Sequence, residues 1–367
     1  MTSRWLFATA LGCGLGACAS TGNVSLPKLD ECRGYLSQGQ YEDAERICNA
    51  SFAEIGNDAG AQKASAHQLL DLASGAIRFG DYRIAERAAG LAAPYDGNAL
   101  AVLAVAKNKL GDYDAAIARG SEYLERYGTD TPKALDAISA VGTALATLER
   151  FGEARRMVKT ANRLAAARVD SFATVSANSL ESYVLWLAGD RKASGELATR
   201  ALALAIQSGL DTSMLLNTVA KLKFEQAKYD EARALLEKSL GVAHVKPWPG
   251  HPDYARAMND IGLLDYATGR TDDAETRFLL ALKVRKKRLG PAHTSVAQTL
   301  NNLAAHYHRL GDLDQAAALY EKALDINLAV LGTGNRRTQL IFANLEMLAK
   351  DRRKSAVPRR EPNLDGP

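Results

Sequence analysis

The sequence predicts an all-α solenoid of about eight helix hairpins with a capping helix at its C-terminal end. Three observations predict it. The 367 residues are 47 % apolar but only 7 % aromatic, with Ala and Leu abundant, a bias toward close-packed helices over sheets. A motif of a turn, then Tyr or a substitute, then a small residue recurs eight times. A small residue also stands twelve positions before the small anchor of every copy. Such an array lengthens without enlarging a single core, so the chain length is no obstacle to one body.

The chain begins with an address. One charge, Arg4, precedes an apolar stretch from Trp5 to Ala17. That is shorter than the ~20 apolar residues of a membrane-spanning helix and has the form of a secretory signal. Its end, Leu15-Gly16-Ala17-Cys18, resembles the lipobox of bacterial lipoproteins. The resemblance implies a signal peptide over 1–17, with cleavage leaving Cys18 to carry diacylglycerol and an N-acyl chain. Cys13 is a second candidate. Two or more chains anchor stably, since each buried CH₂ contributes ~0.8 kcal/mol. Ala19 and Ser20 stand where enteric lipoproteins kept in the inner membrane carry Asp. The expected place is therefore the outer membrane, facing the periplasm or the cell surface. Residues 18–28 read as a tether.

The body spans 29–350. Its motif appears as Gly39-Gln40-Tyr41 with Ala44, Gly80-Asp81-Tyr82 with Ala85, and Gly111-Asp112-Tyr113 with Ala116. It continues as Phe151 with Ala154, Gly189-Asp190-Arg191 with Ser194, Tyr229 with Ala232, Gly269 with Ala274, and Gly311 with Ala316. Successive anchors are 41, 31, 38, 40, 38, 42 and 42 residues apart. If each copy is a helix hairpin, the first helix must meet the second at a small residue. Twelve positions before the anchors lie Cys32, Ala73, Ala104, Gly142, Ser182, Ala220, Gly262 and Ala304, all small. Seven positions after them lie Ser51, Ala92, Tyr123, Ala161, Ala201, Ser239, Ala281 and Ala323, small in every case but Tyr123.

This pattern resembles the tetratricopeptide repeat over about 29–350. The resemblance implies a right-handed superhelical solenoid whose first helices line a concave, peptide-holding surface. The last three copies look like the longer repeats of kinesin light chain: a 42-residue period aligns Asn217, Asn259 and Asn301, then Phe224, Tyr266 and His308. Glu31 and Glu181 depart from the apolar residue usual at their positions, and the 31-residue spacing implies a trimmed loop around Pro94–Gly97. Gly250-His251-Pro252 and Gly290-Pro291-Ala292-His293 fall in connecting loops. Residues 335–350 read as the capping helix, and 351–367 as a basic, Pro-containing disordered tail.

Within the last three repeats, Asn217, Lys221 and Phe224 share one helical face, as do Asn259, Leu263 and Tyr266, and Asn301, Ala305 and His308. Asparagine amides can pair with a peptide backbone without reading its sequence. With Asn302, and with Arg256 and Arg309 as carboxylate holders, they form the expected groove. The alternative is that these asparagines and aromatics only pack between repeats.

Cys32 and Cys48 align on facing helices of the first hairpin. Outside the cytoplasm they can form a disulfide that staples the terminal repeat, or remain two small buried thiols.

The sequence offers no phosphate loop, metalloprotease helix, nucleophile elbow or dinucleotide fingerprint. No cofactor, metal or small-molecule substrate is expected, and His251, His293, His306 and His308 read as structural or solvated. The net charge of +4 resides in Arg4 and the last 18 residues, so the neutral body makes no case for nucleic acid. The expected function is a non-enzymatic, envelope-anchored scaffold or adaptor that binds protein or peptide segments in envelope assembly, secretion or pilus biogenesis. Alternatives are an adaptor presenting substrates to a periplasmic protease or peptidoglycan hydrolase, and an enzyme with an unrecognised site.

Overall fold

The computed structural model describes residues 28–56, 58–243 and 250–356. The signal, the tether up to residue 27 and the tail from 357 onward, with Cys13, Cys18 and Trp248, lie outside the described residues. Those described form seventeen helices and no strand.

The motif is a turn that ends one helix and starts the next. Gly80, with φ 75°, adopts the left-handed conformation that closes α3 (Ala59–Phe79). Asp81 then caps α4 (Tyr82–Ala92) by accepting from the Ile84 N–H at 3.2 Å. Tyr82 follows as a buried first residue. The same grammar joins α5 (Asn98–Leu110) to α6 (Tyr113–Tyr127), α9 (Ser171–Ala188) to α10 (Arg191–Gln207), and α15 (Thr294–Leu310) to α16 (Leu313–Leu331). The remaining hairpins are α1 (Leu29–Ser37) with α2 (Tyr41–Gly56), α7 (Ala134–Thr147) with α8 (Phe151–Arg168), α11 (Ser213–Glu225) with α12 (Tyr229–Ala243), and α13 (Pro252–Ala267) with α14 (Thr271–Leu289). Eight hairpins and a final helix, α17 (Arg336–Ala356), make a right-handed superhelical solenoid, as expected.

Both sets of small positions are buried throughout, Tyr123 included. A Cβ on Gly262 would lie 2.8 Å from the Phe278 ring, so the first helix approaches the second as closely as its side chain permits. Hairpins one and five form despite Glu31 and Glu181, both of which keep contact with solvent. The 31-residue spacing has a different origin from the trimmed loop expected: α4 itself has only 11 residues, against 15 to 19 for the second helices elsewhere. The capping helix runs to Ala356 rather than 350, because Arg352 donates to the Leu313 carbonyl and pairs with Asp314 on the hairpin beneath.

Cys32 and Cys48 are joined by a disulfide, with Cα atoms 5.3 Å apart. It closes a loop of 16 residues, for which chain entropy gives about 3 kcal/mol. Replacing both by serine is expected to lower the unfolding free energy of the first hairpin by that amount. Hydrogen exchange of α1 and α2 checks it, and exchange in α15 and α16 should be unaffected.

First helices of successive hairpins pack on one another, α5 on α7 and α7 on α9 for example, whereas contact between second helices is concentrated at α2 and α4. The first helices therefore occupy the shorter, inner arc. The superhelix also meets itself. His251, His293 and Asn335, 42 residues apart, stand at the N-terminal ends of α13, α15 and α17. His251 Nδ1 accepts from the Asp253 N–H, which leaves Nε2 to donate to the Arg78 carbonyl at 3.3 Å. Asn335 repeats this: Oδ1 accepts from the Arg337 N–H while Nδ2 donates to the Thr147 carbonyl at 2.9 Å. His293 Nδ1 accepts from Ser295, and its ring lies over Gly111 and bonds the Lys109 backbone. Each group thus caps its own helix and holds the end of a first helix five hairpins earlier. Tyr113 and Thr294 hydroxyls, 2.9 Å apart, and a buried Arg288–Asp81 pair extend this seam.

Candidate functional site

The predicted groove residues do lie on the inner helices α11, α13 and α15, but most are already engaged. Asn302 Nδ2 donates to Asn259 Oδ1 at 3.2 Å, and Asn344 Nδ2 to Asn301 Oδ1 at 2.9 Å. The amide row expected to face a peptide is thus largely spent between neighbouring helices, and Asn259 is wholly buried. The ladder has a simple rule: each asparagine meets the residue 43 positions later on the next inner helix. Asp260, Asn302 and Asn344 form this second row, again 42 apart, and the sequence reading overlooked Asp260 and Asn344. Their period was visible; that they face the first row depends on how the helices stack.

The ladder is unmade at one rung. By position Asn217 should meet Asp260, yet both atoms of its amide are buried without a hydrogen bond, and so is Asp260 Oδ2. Asp260 instead accepts from Asn259 Nδ2 through Oδ1 and pairs with Lys221 at 3.3 Å through Oδ2. Between α11 and α13 the concave face therefore carries unmet polar capacity beside half-buried Lys221 and Phe224.

The remaining predicted residues are held internally. Arg256 pairs with Asp253, and Arg309 covers the Tyr266 ring at 3.9 Å and donates to its carbonyl, so neither waits free for a carboxylate. His308 Nε2 lies 3.2 Å from Asp351, which belongs to the segment expected to be disordered. Phe224 packs 5.7 Å from Tyr229. At the opposite end of the inner arc, α1 and α3 leave a recess of about 600 Å³ lined by Arg33, Ser37, Asp71, Arg78 and Phe79. Among the described residues no group of three or more His, Cys, Asp or Glu is arranged to hold a metal, and no helix is long and apolar enough to cross a membrane.

One seam residue titrates in a useful range. Burial, assisted by repulsion from Arg285, lowers the His293 pKa from 6.5 to about 4. A depressed histidine pKa favours the neutral ring, the form that accepts at Nδ1 and donates at Nε2. Its contribution is complete above pH 6.5 and is lost as pH falls through 4. A shift of this size corresponds to about 3 kcal/mol. A urea-unfolding series from pH 7 to 4 is expected to show this loss in the wild type and a flatter profile in His293→Asn, which mimics Asn335.

Residues 211–287 and 253–329 match the tetratricopeptide repeat, which places the repeat itself in hairpins six to eight. No curated protein matches the sequence significantly. Among solved structures, the chain is similar to the APC/C hetero-tetramer Cut9–Hcn1, with a TM-score of 0.56 and 17 % identity, covering 86 % of this chain and 60 % of that one. It is also similar to a Rap protein complexed with competence and sporulation factor, with a TM-score of 0.56 and 13 % identity, covering 83 % and 97 %. A tetratricopeptide repeat protein from Parabacteroides merdae matches at a TM-score of 0.46 and 17 % identity, over 71 % and 95 %. Hairpins six to eight thus match the tetratricopeptide repeat, and the likeness of the chain to the solved structures is one of fold.

Proposed function

We propose that the protein is a non-catalytic scaffold, tethered to a bacterial envelope through Cys18, whose concave face holds a segment of a partner protein. The observation that carries this reading is the half-buried pair Lys221 and Phe224, which reaches the concave face next to the unmade rung at Asn217. The pair supplies charge and aromatic surface. Two solved structures of this fold, a Rap protein complexed with competence and sporulation factor and the Cut9–Hcn1 hetero-tetramer, are of complexes, and partner binding is carried over from them by analogy. Envelope assembly, secretion or pilus biogenesis is the proposed setting.

A photoreactive residue in place of Phe224 is expected to capture a partner that one in place of the exposed Leu280 of α14 does not. Lys221→Gln should weaken that capture while leaving the melting temperature within a few degrees. Identical products from both positions would move the binding surface elsewhere. The tether has its own test. Cys18→Ser is expected to block lipid attachment and leave an unprocessed or mislocalised precursor; a variant matured and membrane-bound like the wild type would refute the lipid anchor.

A further inference from the structure

A second pocket, of about 230 Å³, opens on the seam where α2 and α4 of the first two hairpins meet the end of α14. Four cationic side chains line it, Arg83 and Arg87 on α4 and Lys287 and Arg288 on α14, against Glu45 and Asp81. The two acids do not balance them. Asp81 is committed to Arg288, at 3.3 Å, and to capping α4. Arg288 is fixed further by the Gly250 carbonyl at 3.1 Å and by stacking over Tyr41. Lys287 pairs with Glu42, which is exposed at the rim. Arg83 and Arg87, one helical turn apart and exposed, have no ion pair among the described residues; Arg87 donates to the neutral Asn49 and lies 5.1 Å over the Phe52 ring. Glu45 is left as the one carboxylate of the lining without a cation of its own among them.

We propose that this seam pocket is an anion site for a phosphate-class group. Arg83 and Arg87 are its ligands from the N-terminal hairpins, and Lys287 is its ligand from the C-terminal half. Guanidinium pairs match tetrahedral oxyanions through paired N–H donors, and a lysine adds a point charge. The volume suits a phosphate-sized group and is too small for a larger organic ligand. The walls come from hairpins five and six apart along the superhelix, so an anion bound between them stabilises the closed arrangement over any opened one.

Thermal melts of the full chain in inorganic phosphate, sulfate and chloride at matched ionic strength test this. Phosphate is expected to raise the melting temperature by about 2–5 °C over chloride. Arg83→Gln with Arg87→Gln should abolish the difference between phosphate and chloride, while loss of the Arg87 contacts to Asn49 and Phe52 lowers the melting temperature equally in both. Lys287→Gln is expected to halve it. Sulfate equal to phosphate shows a site for tetrahedral anions in general; phosphate alone raising the temperature shows selectivity for its protonatable oxygens. Equal melting in phosphate, sulfate and chloride, or a double variant that responds like the wild type, overturns the site.

Discussion

Replacing Gly80 by valine is expected to destabilise the protein by about 3 kcal/mol and to open the seam. Two costs combine. The residue has φ 75°, where a side chain costs ~1–2 kcal/mol, more when β-branched. Its Cβ would also stand 2.5 Å from Pro252 Cδ and 2.9 Å from His251 Cδ2, and overpacking of that kind costs ~1–3 kcal/mol. Gly269 separates the two. It has φ 82° but open space around it, so Gly269→Val should lose only the backbone part. Small-angle scattering is expected to show a larger radius of gyration for Gly80→Val and none for Gly269→Val. Equal losses and unchanged radii in both would mean that the seam does not hold the superhelix closed.

The second large effect is expected at Asp265. Its carboxylate is wholly buried and receives Arg233, Arg270 and Arg277, with Arg270 Nε at 2.9 Å from Oδ1. This cluster fastens α12 to α13 and α14, where the amide ladder is incomplete. Asp265→Leu would remove the counter-charge shared by three guanidinium groups, leaving only Arg277 with a carboxylate, Asp273 at 3.8 Å. Breaking a buried pair costs ~3–5 kcal/mol, but the arginines remain a quarter to half exposed and can rehydrate. A loss of about 2–3 kcal/mol in urea unfolding is therefore expected. Added salt should recover part of it by screening the mutual repulsion. A variant with unchanged stability at low salt would show that the arginines, not the aspartate, fasten these helices.

How much was legible follows from the range of each interaction. Gly80-Asp81-Tyr82 specifies a helix stop, a cap and a buried start within three residues, so the eight hairpins could be read in order. The paired small positions, twelve before and seven after each anchor, express contact between helices adjacent in the chain. They were legible for the same reason. The end of α17 was not, because its charged composition reads as solvated until Arg352 and Asp351 are seen to have partners on α15 and α16. The binding residues were half legible. The period placed Asn217, Asn259 and Asn301 on one face, but could not tell an amide offered to a ligand from one satisfied by the next helix.

The repeat, its turns, the facing of Cys32 and Cys48, and the all-α class are all readable from the chain, because each rests on residues close along it or on an unbroken period. Only the tertiary structure decided that His251, His293 and Asn335 hold the superhelix to itself, across 173 residues in the first case and 188 in the last. It also decided that Asn217 alone in the ladder is left unpaired. Both depend on the small rotation between successive hairpins, which accumulates over five of them until distant turns meet. No local pattern encodes that sum, since it arises from many small packing angles acting together.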